Sequence, residues 1–357
     1  MRRILVTGAG GVSGVNFVRA LRATPERLYI AGTDYNPYHI NFPDLDASYR
    51  TPKHSDASFF EIVHGIVEKE TIDFLHPNPE VEAYVIALNR DKVKAKLFLP
   101  SVKAIEASRD KYLTAKILSE SGLAPKTKLL EGVDDVDEAF ASMGSPLWVR
   151  IKEGAGGLGG LRCNDAEEAK SWISAWEKLK GRRISDFIVQ EYLPNRDLAW
   201  DSLWMDGELV TSFARERLEY AFKHLTFSGI AGTPSVTRTV HDARINEVAS
   251  KAVKLMDVKP HGIYCVDLRE DEGEHPKVTE VGAKVHTTLG LWGYSAVKAL
   301  NLPWYANIPY LYVYLAFSKE KPEMPKFDLY PEGYYLLRHI DSGAVLWRED
   351  GWKERLL

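Results

Sequence analysis

The stretch PLWVRIKEGAGGLGG, residues 146–160, follows an apolar and basic run with five glycines between positions 154 and 160. The run reads as a strand entering a loop, and LRC at 161–163 reads as the strand leaving it. A loop this rich in glycine lets backbone amides approach phosphate oxygens closely and can fold down as a lid. Arg150 and Lys152 alternate on the entering strand, so both are expected on one face, placed to neutralise phosphates. The same pattern also fits a plain hairpin loop with surface charges.

Further along, GIYCVDLREDEGEHPKVTEVG at 262–282 reads as a β-hairpin. If it turns about Gly273 and Glu274, Asp267 faces Glu280 across the pair. Opposed side chains stand about 4.5–5.5 Å apart at Cβ, and like charges there destabilise the pair. A bound Mg2+ between them would remove the repulsion and supply a phosphate-bridging metal. A slipped register or a solvated face is the plainer alternative. Between loop and hairpin lies VQEYLPNRD, residues 189–197. Gln190 and Glu191 end a strand there, Leu193 offers backbone groups, and Asp197 follows a turn. Such a set can meet an adenine edge and a ribose, although it also occurs as ordinary surface.

The chain begins RRILVTGAGGVSGVNFVRALR (2–22), a strand running into glycines at Gly8, Gly10, Gly11 and Gly14 and then a helix with Val15, Val18 and Leu21 apolar. A second strand, within LYIAGTDYNP, ends in Asp34. This is the layout of a dinucleotide fingerprint: glycines for a tight turn, a helix N-terminus for pyrophosphate, an acid for the ribose. The helical period of Phe60, Val63, Ile66 and Val67 leads to a strand at 72–75, which makes the first hundred residues βαβ in pattern with a mostly parallel sheet. Near residue 100 the character changes. A helix at 108–122, capped by Ser108 or Asp110 and closed by Gly122, and one at 164–181 ending at Gly181, alternate with strands at 187–193 and 198–210. Another helix spans 242–256. A dehydrogenase would have continued its parallel sheet.

With 357 residues, two or three packed subdomains are expected. A net charge of −4 leaves no basic footprint for nucleic acid. Cys163 and Cys265 form no CxxC and fit a reducing cytoplasm and a buried structural role. Arg2 and Arg3 precede an apolar run that breaks at Gly8, far short of a signal-peptide core. No apolar run approaches the roughly 18 residues of a membrane helix. The longest, IPYLYVYLAF at 308–317, reads as a buried element or a subunit contact. A cytoplasmic protein is expected, with no nucleic-acid or membrane partner.

Taken in order, SRDKYLTAKILSESGLAPKT, PLWVRIKEGAGGLGG, VQEYLPNRD, GIYCVDL and KVTEVGAK resemble the ATP-grasp superfamily, and within it the carbamoyl-phosphate-synthase-like group, over residues 1–310. The resemblance implies an α/β and α+β chain, a Rossmann-like pre-ATP-grasp domain followed by a two-lobed ATP-grasp fold. Residues 1–100 would be the first domain, holding acceptor substrate and no dinucleotide. Residues 101–186 would be the N-lobe with its lid, 187–310 the C-lobe with the Mg/ATP site, and 311–357 a strand-rich extension.

The implied cofactors are ATP and Mg2+. Carried over by position, Lys111, Arg150 and Lys152 would meet ATP phosphates, and residues 153–160, with Gly156, Gly157 and Gly159, would form the lid. Gln190, Glu191 and Leu193 would meet the adenine and Asp197 the ribose. Asp267 and Glu280 would bind Mg2+, and Lys284 stands where the family has a phosphate-binding arginine. SGIAGTPSVT at 228–237 resembles the loop near the γ-phosphate; Arg215, Arg217 and Arg238 flank it, either to hold a substrate carboxylate or in surface ion pairs. Arg150, Lys284 and Arg238 make up the expected catalytic set.

Two positions depart from the family pattern. Gly282 stands where an asparagine ligand is usual, which removes one ligand of a second Mg2+. Ala231 stands where carbamoyl-phosphate synthases carry a histidine, which weakens bicarbonate phosphorylation as a first step, and the chain holds one such unit where those synthases hold two. The implied reaction activates a small-molecule carboxylate as an acyl-phosphate for attack by an amine, releasing ADP and phosphate. One rival is a short-chain dehydrogenase, with Tyr112-x-x-x-Lys116 as its pair. The same spacing recurs at Tyr294 and Lys298, and this reading leaves the five-glycine loop unexplained. The other is a non-catalytic ATP-binding module, favoured by Gly282 and Ala231 and opposed by Arg150, Asp267 and Glu280. YPEGYYLLRHIDSGAVLWREDGW at 330–352 reads as two strands around DSG, packing on the ATP-binding half or on a second subunit, so a homodimer stays open.

Overall fold

A computed structural model of the chain describes residues 1–154, 156–230, 232–318, 320–339 and 343–356. The N-terminal unit runs β1 (Arg3–Thr7), α1 (Val12–Arg22), β2 (Tyr29–Asp34), β3 (Ala47–Arg50), α2 (Phe59–Lys69), β4 (Phe74–Pro77) and α3 (Glu80–Leu88). Its four strands form a parallel sheet in the order β3-β2-β1-β4. Ile4, Leu5 and Val6 are fully buried, as a parallel strand covered on both faces requires. Helix α2 buries Phe60, Val63, Ile66 and Val67, the residues whose period announced it. The strand expected at 72–75 starts two residues later, because Thr71 turns the chain at φ 47°.

The opening glycines have a packing reason. A Cβ on Gly8 would stand 2.3 Å from Pro79 Cγ, and one on Gly10 would stand 2.4 Å from the His39 backbone. Asp34, the acid placed for a ribose, is buried and ties the loop down, one carboxylate oxygen accepting from Gly10 N–H at 3.0 Å and the other from Asn36 N–H at 2.8 Å.

The middle of the chain contributes α4 (Val102–Arg109), α5 (Lys111–Ser119), β5 (Thr127–Leu129), α6 (Asp134–Met143), β6 (Leu147–Ile151), β7 (Leu161–Cys163), α7 (Ala166–Lys180) and β8 (Phe187–Glu191). Strands β5-β8-β6-β7 form an antiparallel sheet. Asp110 caps α5 by accepting from Tyr112 and Leu113 N–H, and Asp165 caps α7, which Gly181 ends in the left-handed conformation. Because β8 pairs with β5 and β6, this sheet runs to residue 191, past the boundary expected at 186.

The remainder comprises β9 (Asp197–Met205), β10 (Glu208–Tyr220), β11 (Pro234–Val240), α8 (Ala243–Met256), β12 (Gly262–Glu270), β13 (Pro276–Gly282), α9 (Leu289–Lys298), α10 (Ile308–Phe317), β14 (Tyr334–His339), β15 (Gly343–Arg348) and β16 (Lys353–Arg355). The strands form one eight-stranded sheet, β13-β12-β9-β10-β11-β14-β15-β16. The C-terminal strands therefore extend the large sheet at β11 and are not an appendage. Helix α10 is buried, and its Tyr312 stacks on Phe98 at 5.2 Å in the core shared with α1 and β1. Of the turn DSG, Asp341 and Ser342 lie outside the described residues. One face of the large sheet packs Trp200, Trp204 and Tyr264 against α8. Strand alternation turns Asp197, Asp201, Arg215, Arg217 and Asp267 to the other face. Cys163 and Cys265 are buried and unbridged, and among the described residues no helix is long and apolar enough to cross a membrane.

Glu82 on α3 is 5% exposed, and its Oε2 finds no hydrogen-bond partner among the described residues. Burial, and then the charge of Asp34, push its carboxyl up to about 7. A raised carboxyl favours the folded state fully below the free-chain value and loses that contribution as pH rises through about 7. Glu82→Gln is therefore expected to leave stability unchanged at pH 4 and to gain on the order of 2–3 kcal/mol over wild type by pH 8. Denaturant midpoints across that range check it; a pH-independent difference would contradict the buried, neutral carboxyl.

Candidate active site

The hairpin brings Asp267 opposite Glu280, as the sequence predicts, though by a different count. Glu270 pairs with Pro276 and Leu268 with Val278, a register that would set Asp267 against Thr279. Thr279 is instead an extra residue, bulged out of the ladder, with its Oγ1 donating to the Asp267 carbonyl at 3.2 Å. The bulge turns Glu280 onto Asp267.

The repulsion that a metal was expected to relieve is met by the chain's own cations. Glu280 lies 3.4 Å from Lys111 Nζ, 3.4 Å from Arg150 Nη2 and 3.9 Å from Lys284 Nζ. Asp267 pairs with Arg217 and lies 2.9 Å from His286 Nε2. Burial opposes ionisation of both acids, yet Arg217 and His286 hold Asp267 well below the usual carboxylate range, and Lys111 and Lys284 lower Glu280. His286 Nδ1 stands 2.8 Å from Asp201, which is fully buried. Against the pull of burial, Asp201 and Asp267 raise this imidazole well above its ordinary value. Burial lowers the Lys111 ammonium, and Glu280 opposes that shift; Glu80 and Glu280 outweigh burial at Lys284 and raise it.

Asp267, Glu280, Lys111, Arg150, Arg217, Lys284 and His286 line one cleft. Its roof is the glycine loop meeting the 228–234 loop: a Cβ on Gly157 would touch Ile230 Cγ2 at 3.0 Å, and one on Gly156 would stand 3.6 Å from Gly232 Cα. Lys111 Nζ fastens this roof by donating to the Gly154 carbonyl at 2.5 Å. Ala155 and Ala231, the latter at the position of the missing histidine, lie outside the described residues. Gln190, Glu191, Leu193 and Asp197 also line the cleft, along one wall with Trp148. Gln190 is held by Thr127 at 2.9 Å and the Glu191 carboxylate by Lys126 N–H at 3.2 Å, while the Leu193 carbonyl accepts from Arg269 at 3.3 Å. Asp197 accepts from Tyr220 Oη at 3.0 Å and pairs with Arg217 at 3.3 Å.

Three expected site residues stand elsewhere. Lys152 falls one residue past the end of β6 and does not line the cleft; its carbonyl accepts from Lys111 N–H at 2.9 Å and fixes the start of α5. Gly159 is a packing residue at φ +68°, where a Cβ would lie 2.7 Å from Ile151 Cγ1, and its carbonyl accepts from Trp172 Nε1 at 2.9 Å. Arg238 projects from the opposite face of its strand: it faces Glu216 in register, pairs with it at 2.7 Å and covers the Tyr335 ring. Arg215 is fully buried against Asp201. Sequence reasoning missed His286, Asp201 and Tyr220, which no motif spacing connects. Toward a divalent cation, Asp267 and Glu280 offer two opposed carboxylates on paired strands. That donor set suits Mg2+, whose other ligands are water and phosphate oxygens.

A parallel four-stranded unit, a small antiparallel sheet and a large antiparallel sheet with a glycine-roofed cleft between them define the ATP-grasp architecture. Over nearly its full length the chain superposes on solved members of that class. It matches L-amino acid ligase from Bacillus licheniformis with a TM-score of 0.66 at 14% identity, covering 94% of this chain and 79% of that one. For N5-carboxyaminoimidazole synthetase from Staphylococcus aureus with ADP the TM-score is 0.69 at 15% identity, covering 96% and 83%. Residues 108–291 match the RimK-like ATP-grasp domain, and the chain belongs to that family. The superfamily is the one the sequence pattern implies; the subgroup matched is RimK-like. A probable alpha-L-glutamate ligase of Pseudomonas savastanoi pv. phaseolicola is 30% identical over 183 residues, 50% of this chain and 57% of that protein. One from Azotobacter vinelandii is 28% identical over 195 residues, 52% and 61%. The chain thus spans a little over half the length of these relatives.

Gly159→Ala is expected to cost about 1–3 kcal/mol of stability, through positive φ and the Ile151 overlap. Arg238→Ala is expected to leave nucleotide affinity within twofold of wild type. Chemical denaturation and a nucleotide titration check the two; a tenfold loss of affinity in Arg238→Ala would return that residue to the site.

Proposed function

We propose that the chain is an ATP-dependent carboxylate–amine ligase forming ADP and phosphate, acting on amino-acid-like substrates. The observation that carries this reading is the carboxylate pair Asp267–Glu280, ringed by Lys111, Arg150, Lys284, Arg217 and His286 under a glycine-rich roof. Charge of that density suits a polyphosphate with a divalent cation. Adenine would lie along Trp148 and Leu193, with backbone groups near Glu191 reading its edge and Asp197 holding the ribose. Lys111, Arg150 and Lys284 would hold the phosphates, and amides of Gly156 and Gly157 would approach them from the roof. Asp267 and Glu280 would hold Mg2+, which when bound would supply neutralising charge for the phosphates.

In the reaction, a substrate carboxylate oxygen attacks the γ-phosphorus, and the bond to the ADP oxygen breaks. An amine then attacks the acyl carbon, phosphate leaves with the bridging oxygen, and the amine loses a proton to form the amide. No side chain need act as nucleophile; the residues position the reactants and stabilise developing charge. His286 would act as a positioning residue, fixing Asp267 through its buried partner Asp201. Names of the relatives favour amino acids as both substrates. In this reading residues 1–100 form one wall of the acceptor site, and the lobes close over ATP.

ADP release from Mg-ATP, screened against amino-acid pairs, tests the proposal. Release is expected only when both a carboxylate and an amine are present, with Glu280→Gln and Asp267→Asn each lowering kcat at least 100-fold. Release that needs neither substrate and persists in Glu280→Gln would sink the assignment. Tight Mg-ATP binding without turnover on any pair would favour the non-catalytic module.

A further inference from the structure

The segment after β13 brings Lys284 and His286 to the cleft, and side chains of the N-terminal unit hold it in place. On α1, Ser13 Oγ donates to the Val285 carbonyl at 3.3 Å and Asn16 Nδ2 to the Thr287 carbonyl at 2.8 Å. Helix α1 also lies close against α9, where a Cβ on Gly290 would meet the Asn16 carbonyl oxygen at 2.3 Å. The third tie is Glu80, the first residue of α3. Its Oε1 accepts from Ala283 N–H at 3.2 Å and from Ser108 Oγ, on α4, at 2.8 Å. Its Oε2 lies 3.5 Å from Lys284 Nζ, at ion-pair distance.

Glu80 does not line the cleft, whereas Lys284 does. The Glu80 side chain is 12% exposed, and the two donors on Oε1 fix where Oε2 points. Its place at the start of a helix favours the charged carboxylate. The Lys284 ammonium thus stands between two acids, Glu80 at 3.5 Å and Glu280 Oε1 at 3.9 Å. A lysine carries its charge on a flexible four-carbon stem, and a second, anchored acid keeps that charge from collapsing onto the first. Gly282 leaves room beside the stem. A Cβ there would stand 3.4 Å from Lys284 Cε and 2.7 Å from Cys265 Sγ.

We propose that Glu80 is a positioning residue for Lys284, holding its ammonium at the phosphate end of the cleft and apart from Glu280. The assignment rests on the ligase reading for what Lys284 binds, and deepens it by naming a residue outside the cleft that sets this contact. Because Glu80 belongs to the N-terminal unit, that unit shapes phosphate binding without touching the nucleotide. Charge alone predicts the reverse effect on removal: one negative group fewer beside the cleft would tighten the hold on a polyphosphate. Positioning predicts a weaker hold, and the sign separates the two.

Calorimetric titration of the full chain with ATP, in Mg2+ and in EDTA, and with adenosine tests it, beside chemical unfolding of each variant. Glu80→Gln keeps an oxygen for Ser108 and Ala283 and loses the charge that faces Lys284. It is expected to weaken ATP about tenfold, in EDTA as in Mg2+, and adenosine less than twofold. In a Lys284→Met background the same change should cost ATP nothing further; Lys284→Gln serves if that variant does not fold. Glu80→Asp, which keeps the charge, should lose less than Glu80→Gln. ATP bound by Glu80→Gln as tightly as by wild type or more so, an equal loss for adenosine, or a full further loss without Lys284 would overturn the proposal. So would a greater loss in Glu80→Asp, the order expected of a hydrogen-bonding scaffold alone. A wild type that binds no ATP would defeat the ligase reading instead. The unfolding midpoints then still decide whether Glu80 holds Lys284, since their effects are non-additive if it does and additive if it does not.

Discussion

Two half-buried carboxylates held against each other by a single bulged residue organise this molecule. Thr279 leaves the ladder, Glu280 swings onto Asp267, and the resulting charge must be balanced from several directions. Lys111 comes from the start of α5, Arg150 from β6, Arg217 from β10, and Lys284 and His286 from the segment after β13. The acid pair thereby draws the small sheet, the large sheet and the loop to α9 toward one point. Removing either acid would leave the buried Lys111 or several half-buried cations without their counter-charge, a costly arrangement where water is partly excluded. The site and the packing of the lobes are one structure.

Glycine serves two different ends here. At Gly8 and Gly10 it admits other protein backbone and a proline ring, so the resemblance to a dinucleotide loop comes from close packing between β1, α3 and the segment at His39. At Gly154, Gly156 and Gly157 positive φ shapes a roof whose under-surface faces the cleft. Sequence alone shows both as glycine clusters. The neighbours that fill the space above each residue tell them apart, and those neighbours lie far along the chain.

Much of the frame was legible in advance. The cap at Asp110, the stops at Gly122 and Gly181, and the β-loop-β around the five glycines all stand as local chemistry dictates. The Asp267–Glu280 opposition was also legible, but two departures cancel: the turn centres on Gly273 alone, and the bulge at Thr279 restores the lost register. Alternation of apolar residues carries no mark of such a bulge. Short elements of mixed polarity, β3, α4, β5 and α6, gave no clear period and went unread. Arg238 was misplaced because adjacency to a motif says nothing about which face of a strand a residue takes. His286 and Asp201 were invisible because only the fold joins them.

The measurement that bears most directly on the central claim is a calorimetric titration of the purified chain with ATP in Mg2+, with ATP in EDTA, and with NAD+. The account predicts saturable binding of Mg-ATP, weakened at least tenfold when the cation is removed, and no heat from NAD+. Binding of NAD+ in a protein that ignores Mg-ATP would contradict it, and would return Gly8, Gly10 and Asp34 to the role their spacing first announces.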